Sequence, residues 1–157
     1  MPTRQAQPQE LRLSRRYPVA CEKVWRAWTD PQALSAWFGP GEPNSVLLAQ
    51  LDVRVGGRYR IRFQTPDGHE HEVAGIYEVV QPPHKLVFSW AWHSTPERVS
   101  RVTVALRPEA DGTVLDLLHD RFVDAEARTN HQRGWTGTFA KLDAWIAGAQ
   151  SRRGLSG

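Results

Sequence analysis

The chain has 157 residues, 40% hydrophobic and 24% charged, and its 20 basic against 17 acidic side chains leave a net charge of +3. That size and mix describe one soluble globular domain with interspersed charge, which excludes a low-complexity chain and argues against nucleic acid as a partner. No apolar run reaches the roughly 20 residues that cross a bilayer, no secretory signal is read in residues 1–10, and a sole cysteine, Cys21, excludes an internal disulfide and points to a reducing cytoplasm.

Residues 1–9 are expected to form a flexible tail. Alternation begins at Leu11 and Leu13 as a short strand ending near Tyr17-Pro18. Ala20 to Trp28 follows with Val24, Trp25 and Trp28 at helical spacing. Asp30-Pro31 starts a second short helix, an Asp cap followed by Pro at the first helical position, with Leu34, Trp37 and Phe38 on one side. Gly39-Pro40 stops it.

From Val46 to His119 the chain reads as strands: Val46–Leu51, Arg58–Gln64, His69–Val80, Lys85–Trp92, Val99–Arg107 and Thr113–His119. The turn signals between them, among them Pro66-Asp67-Gly68 and Asp111-Gly112, are short. Short connections imply an antiparallel meander, because parallel neighbours need long crossovers. Arg58, Arg60 and Arg62 share one strand face, but Glu70, Glu72 and Glu78 lie on the next strand. The surface is therefore read as mixed and solvated. Asp124 to about Gly148 is helical. His131, Trp135, Phe139, Leu142, Ile146 and Ala149 share one helix face, with Arg133, Thr136, Asp143 and Ala147 opposite. Residues 150–157 are expected to be a second flexible tail.

This order implies a single α+β domain over residues 10–149: a curled antiparallel sheet of about seven strands around a long C-terminal helix, with two short helices after the first strand. A curled sheet cannot sit flush against a straight helix along its whole length. The space between is filled by large side chains or left as a cavity, and the inward positions here are large: Tyr59, Phe63, Tyr77, Phe88, Trp90, Trp92 and Trp135.

Several segments in order carry a resemblance. They are Glu22-Lys23-Val24-Trp25-Arg26-Ala27-Trp28-Thr29-Asp30-Pro31, Trp37-Phe38-Gly39-Pro40, Leu51-Asp52-Val53-Arg54-Val55-Gly56-Gly57-Arg58-Tyr59 and Gly75-Ile76-Tyr77-Glu78-Val79-Val80 before Pro83-His84-Lys85-Leu86-Val87-Phe88. Gly112-Thr113-Val114-Leu115-Asp116-Leu117-Leu118-His119 and Gly134-Trp135 complete the set. From roughly Glu10 to Ala149 the chain resembles the activator-of-heat-shock-chaperone-ATPase homologue-like family. It departs at Pro18-Val19-Ala20, where the family more often carries Ala-Pro ahead of the first helix. The resemblance implies the START-like, birch-allergen-like (SRPBCC) superfamily and its helix-grip fold, but no catalytic motif. In the eukaryotic cochaperone that names the family this domain follows a separate N-terminal domain. No counterpart of that domain is read here, so chaperone activation is not carried over with the fold. Superfamily relatives bind lipids, hormones and polyketides in the cavity, and a minority catalyse cyclisation there.

The cavity candidates for ligand contact are Trp37, Phe63, Tyr77, Trp90, Trp92, His119, His131, Trp135 and Phe139. His119 alternates in phase with Leu115 and Leu117 and so turns inward. A satisfied core histidine is the first reading and a polar anchor for a ligand the second. His131, one turn before Trp135, has the same two readings. Gly134 and Gly137 each cost a helix about 1 kcal/mol relative to Ala. Close helix–sheet approach is the first explanation, and space kept for a ligand beside Trp135 the second. His69 and His71 share a strand face without a third ligand nearby and are read as surface histidines, so neither metal nor cofactor is expected.

No Ser-His-Asp set, phosphate loop or dinucleotide fingerprint is read, and acid–base chemistry by His119 has no partner acid, since Asp116 turns outward. The expected function is non-catalytic binding of a small, largely apolar or aromatic molecule between sheet and helix, by a monomer or weak homodimer. No nucleic acid or membrane partner is expected. The alternatives are a protein-interaction module, stimulating a chaperone ATPase as a cochaperone does, and a cyclase-like enzyme. A cavity with polar anchors favours the first reading and a large exposed apolar patch the second. A deep, pKa-shifted histidine beside a second acid favours the third.

Overall fold

Strict alternation of Tyr59, Ile61 and Phe63 with Arg58, Arg60 and Arg62 gives a strand one buried face and one wet face. The whole sheet is built on that pattern. The computed structural model describes residues 10–39 and 41–156, with side chains up to residue 148. In chain order it holds β1 (Leu11–Tyr17), α1 (Cys21–Thr29), α2 (Pro31–Trp37), β2 (Val46–Leu51), β3 (Arg58–Gln64), β4 (Glu70–Gln81), β5 (Lys85–Trp92), β6 (Ser100–Glu109), β7 (Gly112–Asp120) and α3 (Ala125–Ser156).

The seven strands form one antiparallel sheet in the order β1-β7-β6-β5-β4-β3-β2. The strand that leaves chain order is β1, which pairs β7 with Leu11 opposite His119 and Tyr17 opposite Thr113. Register shifts between Val46 and Leu48 and between Tyr77 and Val79 bend the β2–β5 half. Next to the second shift, a Cβ on Gly75 would stand 2.0 Å from the Ser89 carbonyl oxygen, so glycine permits the close approach of β4 to β5. The sheet curls as expected.

The short helices close one end of the curl. Asp30 accepts from the Gln32 amide at 3.1 Å with Pro31 as the first helical residue. Gly39 turns the chain away at φ +98°. The Trp37 indole donates to the Ala27 carbonyl at 3.1 Å, which ties α2 to α1.

On α3, Trp135, Phe139, Leu142 and Ile146 are buried, as their shared face requires. Asp143 departs from its expected solvent position. The Tyr17 hydroxyl donates to it at 2.7 Å and the Arg15 guanidinium at 3.3 Å, because β1 runs beside that flank of the helix. The helix also passes its expected end near Gly148 and runs to Ser156, since no proline follows to stop it. The expected tail at 1–9 lies outside the described residues. On the exterior, Glu72 accepts from Arg60 at 3.0 Å and Arg62 at 3.2 Å, so the arginine row is partly neutralised by its neighbour strand. Among the described residues no helix is long and apolar enough to cross a membrane.

Candidate functional site: a cavity between the helix and one end of the sheet

Helical spacing puts Asn130, His131, Gly134, Trp135 and Thr138 on one stripe of α3. Strand alternation sets Phe63 of β3, His71 of β4, and Trp90 and Trp92 of β5 opposite them, and Phe38 with Gly39 comes in from the end of α2. These walls enclose about 1250 Å³, opening at a rim that includes Thr65, His69, Glu70, His93 and Ser94. Five aromatic rings form a closed circuit of contacts in these walls. Centroid separations run Phe38–Phe63 5.9 Å, Phe63–Trp92 6.0 Å, Trp92–Trp90 5.5 Å, Trp90–Trp135 5.3 Å and Trp135–Phe38 6.4 Å. All lie within the range over which aromatic pairs attract.

Two histidines orient the indoles. An indole N–H can only donate, so the nitrogen that receives it must be unprotonated. The Trp92 indole donates to His131 Nε2 at 2.8 Å and the Trp90 indole donates to the same atom at 3.3 Å. His131 Nδ1–H then donates to the Ala127 carbonyl at 2.7 Å, completing a neutral imidazole. Burial lowers the His131 pKa, with the bond to Ala127 opposing in part.

His119 is built the same way. The Trp135 indole donates to its Nδ1 at 3.0 Å, and its Nε2–H donates to Ser100 Oγ at 2.7 Å. Ser100 Oγ in turn donates to the Trp90 carbonyl at 3.4 Å. Burial pushes the His119 pKa well below the usual imidazole range, and His131, 5.1 Å away between ring centroids, lowers it further. No carboxylate is among the groups bonded to His119. The pair supplies fixed hydrogen-bond acceptors for tryptophans, and a proton donor–acceptor couple is not assembled here.

Of the nine expected wall residues, Phe63, Trp90, Trp92, His131 and Trp135 line the cavity. Trp37, Tyr77, His119 and Phe139 do not reach it. Trp37, His119 and Phe139 are 0% exposed: Trp37 and Phe139 pack around Trp28, His119 lies behind the cavity wall 5.3 Å from the Trp90 ring, and Tyr77 packs on Tyr59 and Phe88 at 5.6 and 6.0 Å. Their phase points inward, but they lie where the interior is filled.

Other wall residues were not expected. His71, read as a surface residue, is half-buried 5.5 Å from the Phe63 ring and shares a 3.1 Å hydrogen bond with Thr65 Oγ1. His69 is exposed at the rim, as expected. Thr138 could have been found from spacing, one turn beyond Gly134. Phe38 shares one side of α2 with Leu34 and Trp37, but its reach to the cavity, like that of Gly39, depends on how α2 ends. Gly134 corrects the first explanation offered for it: a Cβ there would meet nothing within 4 Å, so the glycine borders open space and not a close-packed strand. Among the described residues no three His, Cys, Asp or Glu side chains converge as a metal site requires.

The family model described as activator of Hsp90 ATPase homolog 1-like protein matches residues 18–147. Solved structures share the fold. The AHSA1 protein from Silicibacter pomeroyi is 30% identical with a TM-score of 0.78, over 88% of this chain and 97% of that one. A protein from Chromobacterium violaceum is 27% identical with a TM-score of 0.78, over 88% and 98%. CalU16 from Micromonospora echinospora is 26% identical with a TM-score of 0.67, over 91% and 79%. No curated protein matches the chain. The chain belongs to the activator of Hsp90 ATPase homolog 1-like family.

Proposed function

We propose that this member of the family binds a small, largely apolar molecule, without chemistry, in the cavity between α3 and the β3–β5 end of the sheet. The observation that carries the reading is a cavity of about 1250 Å³ whose wall carries a contiguous cluster of five aromatic rings. Ligand sites are concave, mostly apolar and edged by a few polar groups, and this one has that make-up. The interaction-module reading lacks comparable support. The exposed large hydrophobics Leu47, Val55, Ile76, Val99 and Val123 are spread over β2, β4 and three separate connections.

A ligand burying about 300 Å² of apolar surface gains roughly 7.5 kcal/mol at about 25 cal/mol per Å². Association consumes several kcal/mol of that, so dissociation constants no tighter than about micromolar are expected for a generic ligand. Titration with fatty acids, flavonoids and polyketide-like aromatics should shift tryptophan emission. At a hundredfold excess over the dissociation constant it should also add about 2.7 kcal/mol of stability. If the whole panel leaves emission and melting unchanged while the protein stimulates a chaperone ATPase, the interaction-module reading replaces this one.

A further inference from the structure

Most hydrogen-bonding groups in the cavity wall are already engaged. The indoles of Trp90 and Trp92 are taken by His131, that of Trp135 by His119, and His131 Nδ1–H by the Ala127 carbonyl. Arg62 donates to Glu72 at 3.2 Å. At the rim the Thr65 hydroxyl donates to Asp67 at 2.6 Å and shares a 3.1 Å bond with His71. His69, Glu70, His93, Ser94 and Asn130 are exposed and meet water. Thr138 remains. It is 4% exposed, it lines the cavity, and its hydroxyl has no hydrogen-bond partner among the described residues. Its oxygen is not sealed inside protein as the orphaned Trp28 Nε1 is, so the space it meets is the cavity. Other helical threonines here bond to their own backbone. Thr29 Oγ1 donates to the Trp25 carbonyl at 2.9 Å and Thr136 Oγ1 to the Gln132 carbonyl at 2.8 Å, each four residues back. Thr138 makes no such bond to Gly134.

We propose that Thr138 is the hydrogen-bonding anchor of the cavity, and that it takes the neutral hydroxyl group of an otherwise apolar ligand. The inference rests on the reading of the cavity as a ligand site. A threonine hydroxyl both donates and accepts, so it can meet a ligand hydroxyl in either sense. A carboxylate is a poorer match. An anion carried to a buried site needs a cation or several donors to offset its lost hydration. Among the described wall residues Arg62 is the one arginine or lysine, and Glu72 holds it. Lys141, three residues beyond Thr138, is absent from the wall and donates to the Glu42 carbonyl at 3.4 Å. The one ring proton of His131 is directed to Ala127. An acid therefore keeps its charged end in water, out of reach of Thr138.

The test titrates 1-decanol and decanoate into the wild type, Thr138→Val and Thr138→Ser, read by tryptophan emission. Valine keeps the volume and removes the hydroxyl, whereas serine keeps the hydroxyl. Without ligand, Thr138→Val should melt no lower than the wild type, because it breaks no bond within the protein. A clear drop would show the hydroxyl bonded inside the fold and overturn the proposal. The wild type should bind decanol at least about tenfold more tightly than decanoate, which has to shed the hydration of a charge. Thr138→Val should weaken decanol about fivefold, the worth of one neutral hydrogen bond, while Thr138→Ser stays within about twofold and decanoate is unchanged. Unchanged decanol affinity in Thr138→Val overturns the anchor and leaves the cavity reading standing. An equal loss of decanol and decanoate in that variant overturns the selection of a neutral hydroxyl. A wild type that binds neither overturns the proposal together with the cavity reading.

Discussion

The two ends of the helix–sheet interface use the same kinds of residue to opposite effect. At one end, Trp28 meets Trp37 at 4.9 Å and Phe139 at 6.3 Å, while His119, sealed among Ser100, Trp135 and Phe122, stands behind the cavity wall 5.3 Å from Trp90. At the other, Phe38, Phe63, Trp90, Trp92 and Trp135 pack into a wall that lines open space, and His131 holds two of their indoles while facing the cavity. A histidine bonded to tryptophan stands behind the cavity wall as well as in it. What differs is whether the next neighbour is a ring or a gap. Aromatic content alone therefore does not mark a cavity, because the local termination of α2 at Gly39 and the bare helix at Gly134 decide which end stays open.

The sharpest way to break this comparison is to truncate one ring at each end. Phe139→Ala should cost about 3–5 kcal/mol in denaturant unfolding, since it empties a filled site. Trp92→Ala should cost about 1–2 kcal/mol, because that ring is only partly buried and borders space already present. Equal losses would mean that the two ends are packed alike.

A smaller contrast is expected at the histidines. His119→Leu strands the Trp135 indole and removes the donor to Ser100, both buried, and should cost about 1–3 kcal/mol. His131→Leu should cost less, since water entering the cavity can take up the Trp92 indole. Thermal melts of the two variants under one condition settle the order.

Both imidazoles also predict a pH dependence. Each is held neutral with a pKa below its ordinary value of 6.5, chiefly by burial. On acidification the unfolded chain takes up these protons first, which favours unfolding. The stability linked to the neutral rings is complete above about pH 6.5 and is lost as pH falls toward the lowered folded-state values. Melting temperature should therefore drop below about pH 6.5, and less steeply in His119→Leu. A variant that falls as steeply as the wild type would show that His119 is not a source of the effect.

The smallest expected change is a gain. Gly134→Ala should raise stability by up to about 1 kcal/mol, read from the denaturant midpoint, because the added methyl meets no neighbour. A loss would place an unseen contact there.

The fold was legible because its determinants are local. The alternation at Tyr59–Phe63, the Asp30-Pro31 cap and the Pro66–Gly68 turn each act within a few residues. The site was legible in one dimension. Phase told that Trp37, Trp90, Trp135 and Phe139 point inward, but phase does not say how far along the interface a residue lies. The cavity is set by that second coordinate. Asp143 was misplaced for a related reason: a helical wheel knows inside from outside but not which strand runs along the flank. Gly134 had two explanations with close packing ranked first, and the empty space around its missing Cβ reverses that order.

The central claim is that the β3–β5 end is the ligand-accessible one, and the indole N–H resonances of the seven tryptophans report on it directly. In ¹⁵N-labelled protein titrated with a flavone, the signals of Trp90, Trp92 and Trp135 should move together along one binding curve, while those of Trp28 and Trp37 stay fixed. Movement of Trp28 and Trp37 with Trp90, Trp92 and Trp135 unchanged would contradict the account.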